Sequence, residues 1–277
     1  MAMDKTSNKQ RGLGAVIETE IGKLEAAARS TRQRKAPEAD GQLQLFSAIF
    51  TDILPRDAQD TMAIPFLSLS KRPRFDPLRF RDERRGIHVT ISGGKPWGIA
   101  NIWDWDVMMW LMAQLRQALD SGEDVSPRIR FHRHAFLKDV RRAAGGAQYR
   151  RLEEAITRLK NTHVRTSIRA ANGKTEMFNW IERATIERDA RGRMAYAVVQ
   201  LPDWLFRAAR DHQLVLTLHG DYFLLTGGLE RWLYRFVRKA AGTGSWQVRY
   251  RTLYERSGST QRFSDFTRDL RKLVARG

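Results

Sequence analysis

Apolar residues recur along this chain at two periods, and the changes of period outline its elements. Over 260–276, Phe263, Phe266, Leu270 and Leu273 fall at i, i+3, i+7 and i+10, one face of a helix, with Arg262, Arg268, Arg271 and Lys272 mostly off it. Gly258 and Ser259 interrupt the pattern just before, and a short segment over 252–256 precedes them. This reads as helix, turn, helix, with Ser259 as the N-cap of the second helix. A single helix of this kind is equally well an amphipathic helix packed on a core with a solvated charged face.

A second copy changes the picture. GGAQYRRLEEAITRL over 145–159 repeats the spacing with Tyr149, Leu152, Ile156 and Leu159, each 114 residues before its counterpart (149 to 263, 159 to 273). The lead-ins match too. A strand over 98–102, a helix over 104–119, a strand over 128–131 and a helix over 133–142 precede the first copy. A strand over 214–218, a helix over 228–241 and a strand over 246–250 precede the second. After the first copy, 162–170 and 175–188 flank Asn172-Gly173, a strong hairpin signal, and 194–201 adds a third strand. The hairpin reads as a wing. The expected fold is therefore α+β, two tandem winged-helix domains over 65–202 and 203–277, the second lacking its final wing. Before them, 1–41 has no aromatic residue and reads as a disordered tail with a short helix over 17–28, and 42–64 as a linker.

Charge narrows the function. The 277 residues carry a formal charge of +18, which calls for a polyanionic partner. The basic residues run through the folded part rather than along one amphipathic helix, so duplex DNA is expected and a membrane is not. No apolar run approaches the roughly 18 residues of a membrane span, and no charged-then-apolar leader opens the chain. Cysteine is absent, which excludes disulfides and thiolate chemistry and fits a reducing cytoplasm. The expected DNA contacts are Arg150, Arg151 and Arg158 in the first unit, Arg165, Arg169 and Lys174 on the wing, and Arg262, Arg268, Arg271 and Lys272 in the second. The alternative for the wing is a solvated hairpin that supports a dimer.

Catalytic readings do not hold. His132-Arg133-His134 has a charged residue where paired metal-binding histidines of a buried strand need an apolar one. Asp104 and Asp106 stand near a helix start, where acidic residues suit the dipole. Gly93-Gly94-Lys95 lacks the spacing of a phosphate loop. The expectation is a non-enzyme with no metal and no cofactor.

Longer stretches carry a resemblance. PFLSLSKRPRF over 65–75, IANIWDWDV over 99–107, GGAQYRRLEEAITRLKNTHVRTSIR over 145–169, LPDWLFRA over 201–208, LTGGLERWLYRFVRKAAG over 225–242 and RFSDFTRDLRKLV over 262–274 resemble the plasmid replication initiator protein A family. The resemblance implies a protein that binds repeats at a plasmid origin, opens the duplex and recruits host replication proteins, the helicase and the host initiator among them. It also implies a first domain that serves dimerisation. A transcriptional repressor that never initiates replication is the competing reading, since helix patterns do not separate the two. Gln42-Leu43-Gln44-Leu45-Phe46 resembles the short peptide by which bacterial replication proteins dock to the sliding clamp. Leu45 and Phe46 would be its apolar anchors, and Gln42 would orient it. The alternative is that Leu43, Leu45 and Phe46 begin a helix, with Phe50 and Ile53, that packs on the first domain.

Overall fold

WDVMMWLMAQLRQALD is apolar almost all round, and a helix of that composition has to be enclosed. It is the helix around which the other elements pack in the computed structural model, which describes residues 44–276 apart from 172 and 243. In chain order the elements are β1 (Leu45–Ser47), β2 (Arg56–Ala58), α1 (Gln59–Ala63), β3 (Leu78–Asp82), β4 (Ile87–Gly93), α2 (Trp105–Asp120), β5 (Arg128–His132), α3 (Arg133–Asp139), α4 (Gly146–Asn161), β6 (Thr162–Thr166), β7 (Glu176–Asn179), β8 (Arg183–Arg188), β9 (Met194–Gln200), α5 (Asp203–Arg210), β10 (Val215–Thr217), α6 (Gly228–Ala241), α7 (Tyr250–Ser257) and α8 (Phe263–Val274). The fold is α+β, as the periodicities predict.

Two four-stranded sheets and one strand pair run through it. The first sheet has the order β1-β5-β9-β8, with β1 parallel to β5 and the other pairs antiparallel. The second is antiparallel throughout, in the order β3-β4-β6-β7. β2 pairs with β10. Leu111 and Met112 of α2 are fully buried, and burial of such a side chain contributes about 1.5–3 kcal/mol each. Polar groups on α2 find partners inside. Gln114 Oε1 accepts from Phe50 N (3.0 Å) and its Nε2 donates to Phe50 O (2.7 Å), while Arg116 donates to Ala209 O at 3.0 Å.

From Leu43 to Gly277 the chain is one compact unit, with a single core cluster from Phe46 to Leu270. Buried ion pairs cross position 203, where the repeat pattern changes unit. Arg235 Nε donates to Asp57 Oδ2 at 2.6 Å, and Arg231 Nη1 donates to Asp106 Oδ1 at 2.7 Å. All four side chains are almost wholly removed from solvent. Asp57 also accepts from Trp105 Nε1 and Thr61 Oγ1, both at 2.9 Å, so the carboxylate is fully satisfied.

Several expected elements take another form. Residues 98–102 are not a strand. Asn101 Oδ1 accepts from the backbone N–H of Trp103 and Asp104, and Asp104 Oδ2 accepts from Asn101 N, which closes a turn. Gly98 enters that turn at φ +71, where a Cβ would lie 2.7 Å from Arg74 O. Residues 246–250 form no strand either, because Trp246 packs on Phe236 (5.4 Å between centroids) and the chain turns into α7. The stretch 175–188 is two strands in different sheets. Trp180 and Ile181 between them are fully buried, so the chain passes through the core from one sheet to the other. β9 therefore pairs with β8 and β5 and adds nothing to the β6–β7 hairpin. Ser259 does not cap α8. Its Oγ accepts from Gln261 N, and Arg262 holds the cap position. The readings on 1–41, and on Gln42 and Leu43, lie outside the described residues.

Candidate nucleic-acid interface

The two repeats become two helix pairs, α3 with α4 and α7 with α8. In α4 the seam Leu152, Ile156 and Leu159 is buried and Tyr149 half-buried, and in α8 Phe266 and Leu270 are buried with Phe263 and Leu273 half-buried. Arg133 stacks its guanidinium over Tyr149 at 4.1 Å, tying the start of α3 to α4. Tyr254 of α7 meets Phe263 and Phe266 edge-on at 5.5 and 5.3 Å. Between α7 and α8, Gly258 turns at φ +62, and a Cβ there would lie 2.8 Å from Pro65 Cβ.

With the seams turned inward, the opposite faces carry charge. Arg150 and Arg151 are exposed on α4, and Arg262, Arg268, Arg271 and Lys272 are exposed at and along α8. Arg268 is held by Asp265 at 2.9 Å and Asp269 at 3.3 Å, and Arg271 lies 5.4 Å from the Tyr250 ring. Arg165 and Lys174 are exposed on the β6–β7 hairpin, Lys174 beside Gly173 in the turn.

Two of the arginines expected on DNA belong elsewhere. Arg158 makes a forked pair with Asp104, Nε to Oδ2 at 2.8 Å and Nη2 to Oδ1 at 2.7 Å. That hydrogen bond raises the Arg158 pKa further and commits the side chain to the fold. Arg169 follows β6 in the left-handed region at φ 58, pairs with Asp60 at 3.0 Å and covers the Trp204 ring at 3.6 Å. Burial lowers its pKa. Both guanidiniums are internal struts.

Asp104, which receives Arg158, and Asp106, both assigned by sequence to the helix dipole, are instead buried acceptors of arginines. Asp106 takes Arg231 and also Arg142 Nη2 at 2.5 Å. Burial pushes both carboxyls above their ordinary range, against the pull of the arginines. The signal was present as WDWDV, two acids inside an apolar run, but a helix start explains acids there just as well. His132 is the N-cap of α3. Its Nδ1 accepts from His134 N at 3.3 Å, and the two rings stand 6.4 Å apart. Among the described residues no group of three His, Cys, Asp or Glu could hold a metal ion. No described helix is long and apolar enough to cross a membrane.

The last two residues of the clamp-like pentad are built into the fold. Leu45 and Phe46 belong to β1, Phe46 opposite Ile129 of β5 and buried, Leu45 outward and 47% exposed. A strand in register with β5 is not a freely presented peptide, because Phe46 would have to leave the core to reach another protein.

The model of one family, replication initiator protein A, matches residues 56–277, most of the chain and both helix pairs. The chain belongs to that family. A putative replication protein from Wigglesworthia glossinidia brevipalpis is 28% identical over 183 residues, which are 64% of this chain and 66% of that protein, just under two thirds of its length. A crystal structure of domains 2 and 3 of RctB is similar with a TM-score of 0.58, at 13% identity, over 78% of this chain and 82% of that one. A second structure of RctB domains 2-3 gives a TM-score of 0.51 at 14% identity, over 79% and 83%. At such identities the likeness is one of fold.

Proposed function

We propose that this replication initiator binds repeats of a plasmid origin as duplex DNA, through two winged-helix units that each offer one helix to a major groove. The supporting observation is the shared geometry of α4 and α8. Each is held by a buried seam, and each turns exposed arginines to the opposite side. Two linked readers raise each other's effective concentration on neighbouring sites. Opening of the duplex then follows from bending and from several copies crowding on the repeats, and host replication proteins are recruited to the opened strand. We read the chain as having no enzymatic role, and a supercoiled origin plasmid with divalent metal is expected to remain unnicked.

Arg268→Ala/Arg271→Ala and Arg150→Ala/Arg151→Ala test the assignment, by anisotropy on an origin duplex and on an unrelated one. Removing an arginine that reads a base weakens only the origin duplex, by about 1–3 kcal/mol. Removing one that neutralises a phosphate weakens both and flattens the salt dependence by about 0.9. Unchanged binding by the α8 pair would remove that helix as a reader. A variant that still represses from the origin region, in a protein that never supports replication, would favour the repressor reading.

A further inference from the structure

The sheet β3-β4-β6-β7 has an inner face in the core and an outer face to solvent. Register fixes which residues stand on each. Leu78, Phe80, Val89, Ile91, Val164 and Phe178 are buried and align with one another across the strands. The alternate positions point outward. One outer row reads Arg79, Thr90, Arg165, Met177 across the four strands. In the next, Arg81 stands opposite His88, and His163 stands one row to the other side, opposite Ser92. The two carboxylates within these strands, Asp82 and Glu176, fall on the inner parity, opposite Ile87 and Thr166. The outer face thus carries three arginines and two histidines and no acid.

Those arginines are available. Arg79 and Arg165 are exposed and make no ion pair among the described residues, and Arg81 reaches only Glu83, at 3.8 Å, with both side chains largely in solvent. Neighbouring strands lie about 4.8 Å apart, so Arg79 and Arg165, two strands apart in one row, are separated by roughly 10 Å. Phosphates follow one another every ~3.4 Å of helix axis along a DNA strand. Apart from its histidines the outer face has no aromatic ring on which an unpaired base would stack.

We propose that this face is a third phosphate-binding surface, one that seats the backbone of duplex DNA without reading its sequence. The inference rests on the DNA-binding reading above and adds Arg79 and Arg81 to it, residues outside both helix pairs. With three arginines and no carboxylate at the outward strand positions, and only Glu83 and Glu255 near its edge, the face is net basic and complementary to a polyanion, and the same charge opposes pairing with a second copy of itself.

The test is duplex binding by the full chain between 50 and 200 mM salt, on origin and unrelated duplexes, with thermal melting as the check on folding. Each phosphate that is no longer neutralised lowers the salt slope by about 0.9, so the affinity ratio across this fourfold range shrinks about 3.5-fold. Arg79→Ala/Arg81→Ala is expected to shrink it roughly 12-fold on both duplexes. Met177→Ala, an uncharged change on the same face, is expected to leave it unchanged. A folded Arg79→Ala/Arg81→Ala variant with the parent's salt slope overturns the proposal, and so does one that changes only oligomeric state in size-exclusion chromatography. If the parent binds duplex and loses affinity through the α8 variants alone, this inference falls and the helix assignment stands. If the parent binds no duplex, both fall.

Discussion

The pair between Asp57 and Arg235 gives a prediction whose size follows from its burial. Both side chains are almost fully enclosed, the bond is 2.6 Å, and Arg235 Nη2 also donates to Thr61 O at 3.0 Å. Arg235→Met leaves a buried carboxylate with only Trp105 Nε1 and Thr61 Oγ1 to satisfy it. Removing one member of such a pair typically destabilises by about 3–5 kcal/mol, because the remaining charge stays desolvated. In a body of this size each kcal/mol moves the melting temperature by about 2–4 °C, so a fall of roughly 6–20 °C is expected. Asp57→Leu should fall within the same range. The double variant Asp57→Leu/Arg235→Met removes both charges, and by the same physics it should recover most of the loss. Urea denaturation of the parent, both singles and the double closes the cycle. Single losses below about 1 kcal/mol, or a double loss equal to the two singles added together, would refute the reasoning.

Phe46→Ala should destabilise by about 3–5 kcal/mol and Leu45→Ala by less than about 1, since only Phe46 is in the core. Sliding-clamp binding that is lost in both variants with melting unchanged would restore the docking peptide. Arg158→Met should lower stability by about 3 kcal/mol, leaving Asp104 unpaired, with the salt slope of DNA binding unchanged. Burial, then the charge of Arg133, lowers the His132 pKa from 6.5, so the neutral ring favours the fold. That stability is present above about pH 6.5 and is lost as pH falls through the lower folded value, and His132→Gln should flatten melting curves taken from pH 7.5 to 5.

The helices were legible because they obey one period. The expected 228–241 is α6 to the residue, and the repeat at 149 and 263 locates the faces of α4 and α8. Sheet membership was not legible. Residues 175–188 read as one continuous strand, and only the burial of Trp180 and Ile181 divides it between two sheets. In the candidate interface, Arg150, Arg151, Arg165, Lys174, Arg262, Arg268, Arg271 and Lys272, expected as DNA contacts, are exposed, as contact with a partner requires. Arg158 and Arg169 escaped because their partners, Asp104 and Asp60, lie 54 and 109 residues away. The outer face of β3, β4 and β6 was hidden for a similar reason. LRFRD, IHVTIS and THVRT each carry only one or two basic or histidine residues, and pairing brings them together.

The strand pair β2–β10 bears on how the chain is made. Ala58 pairs with Val215, and Asp57 beside it pairs with Arg235. Both partners are synthesised long after β2 has left the ribosome. At about 5–20 residues per second, roughly 10–35 s separate Asp57 from its arginine. Until β10 emerges β2 has no strand partner, and until α6 follows the core around α2 is open on the side that α6 later covers. The N-terminal half therefore cannot finish folding as it emerges. Completion waits for α6, and a ribosome stalled before residue 235 would hold an unfinished core, the kind of species that chaperones bind.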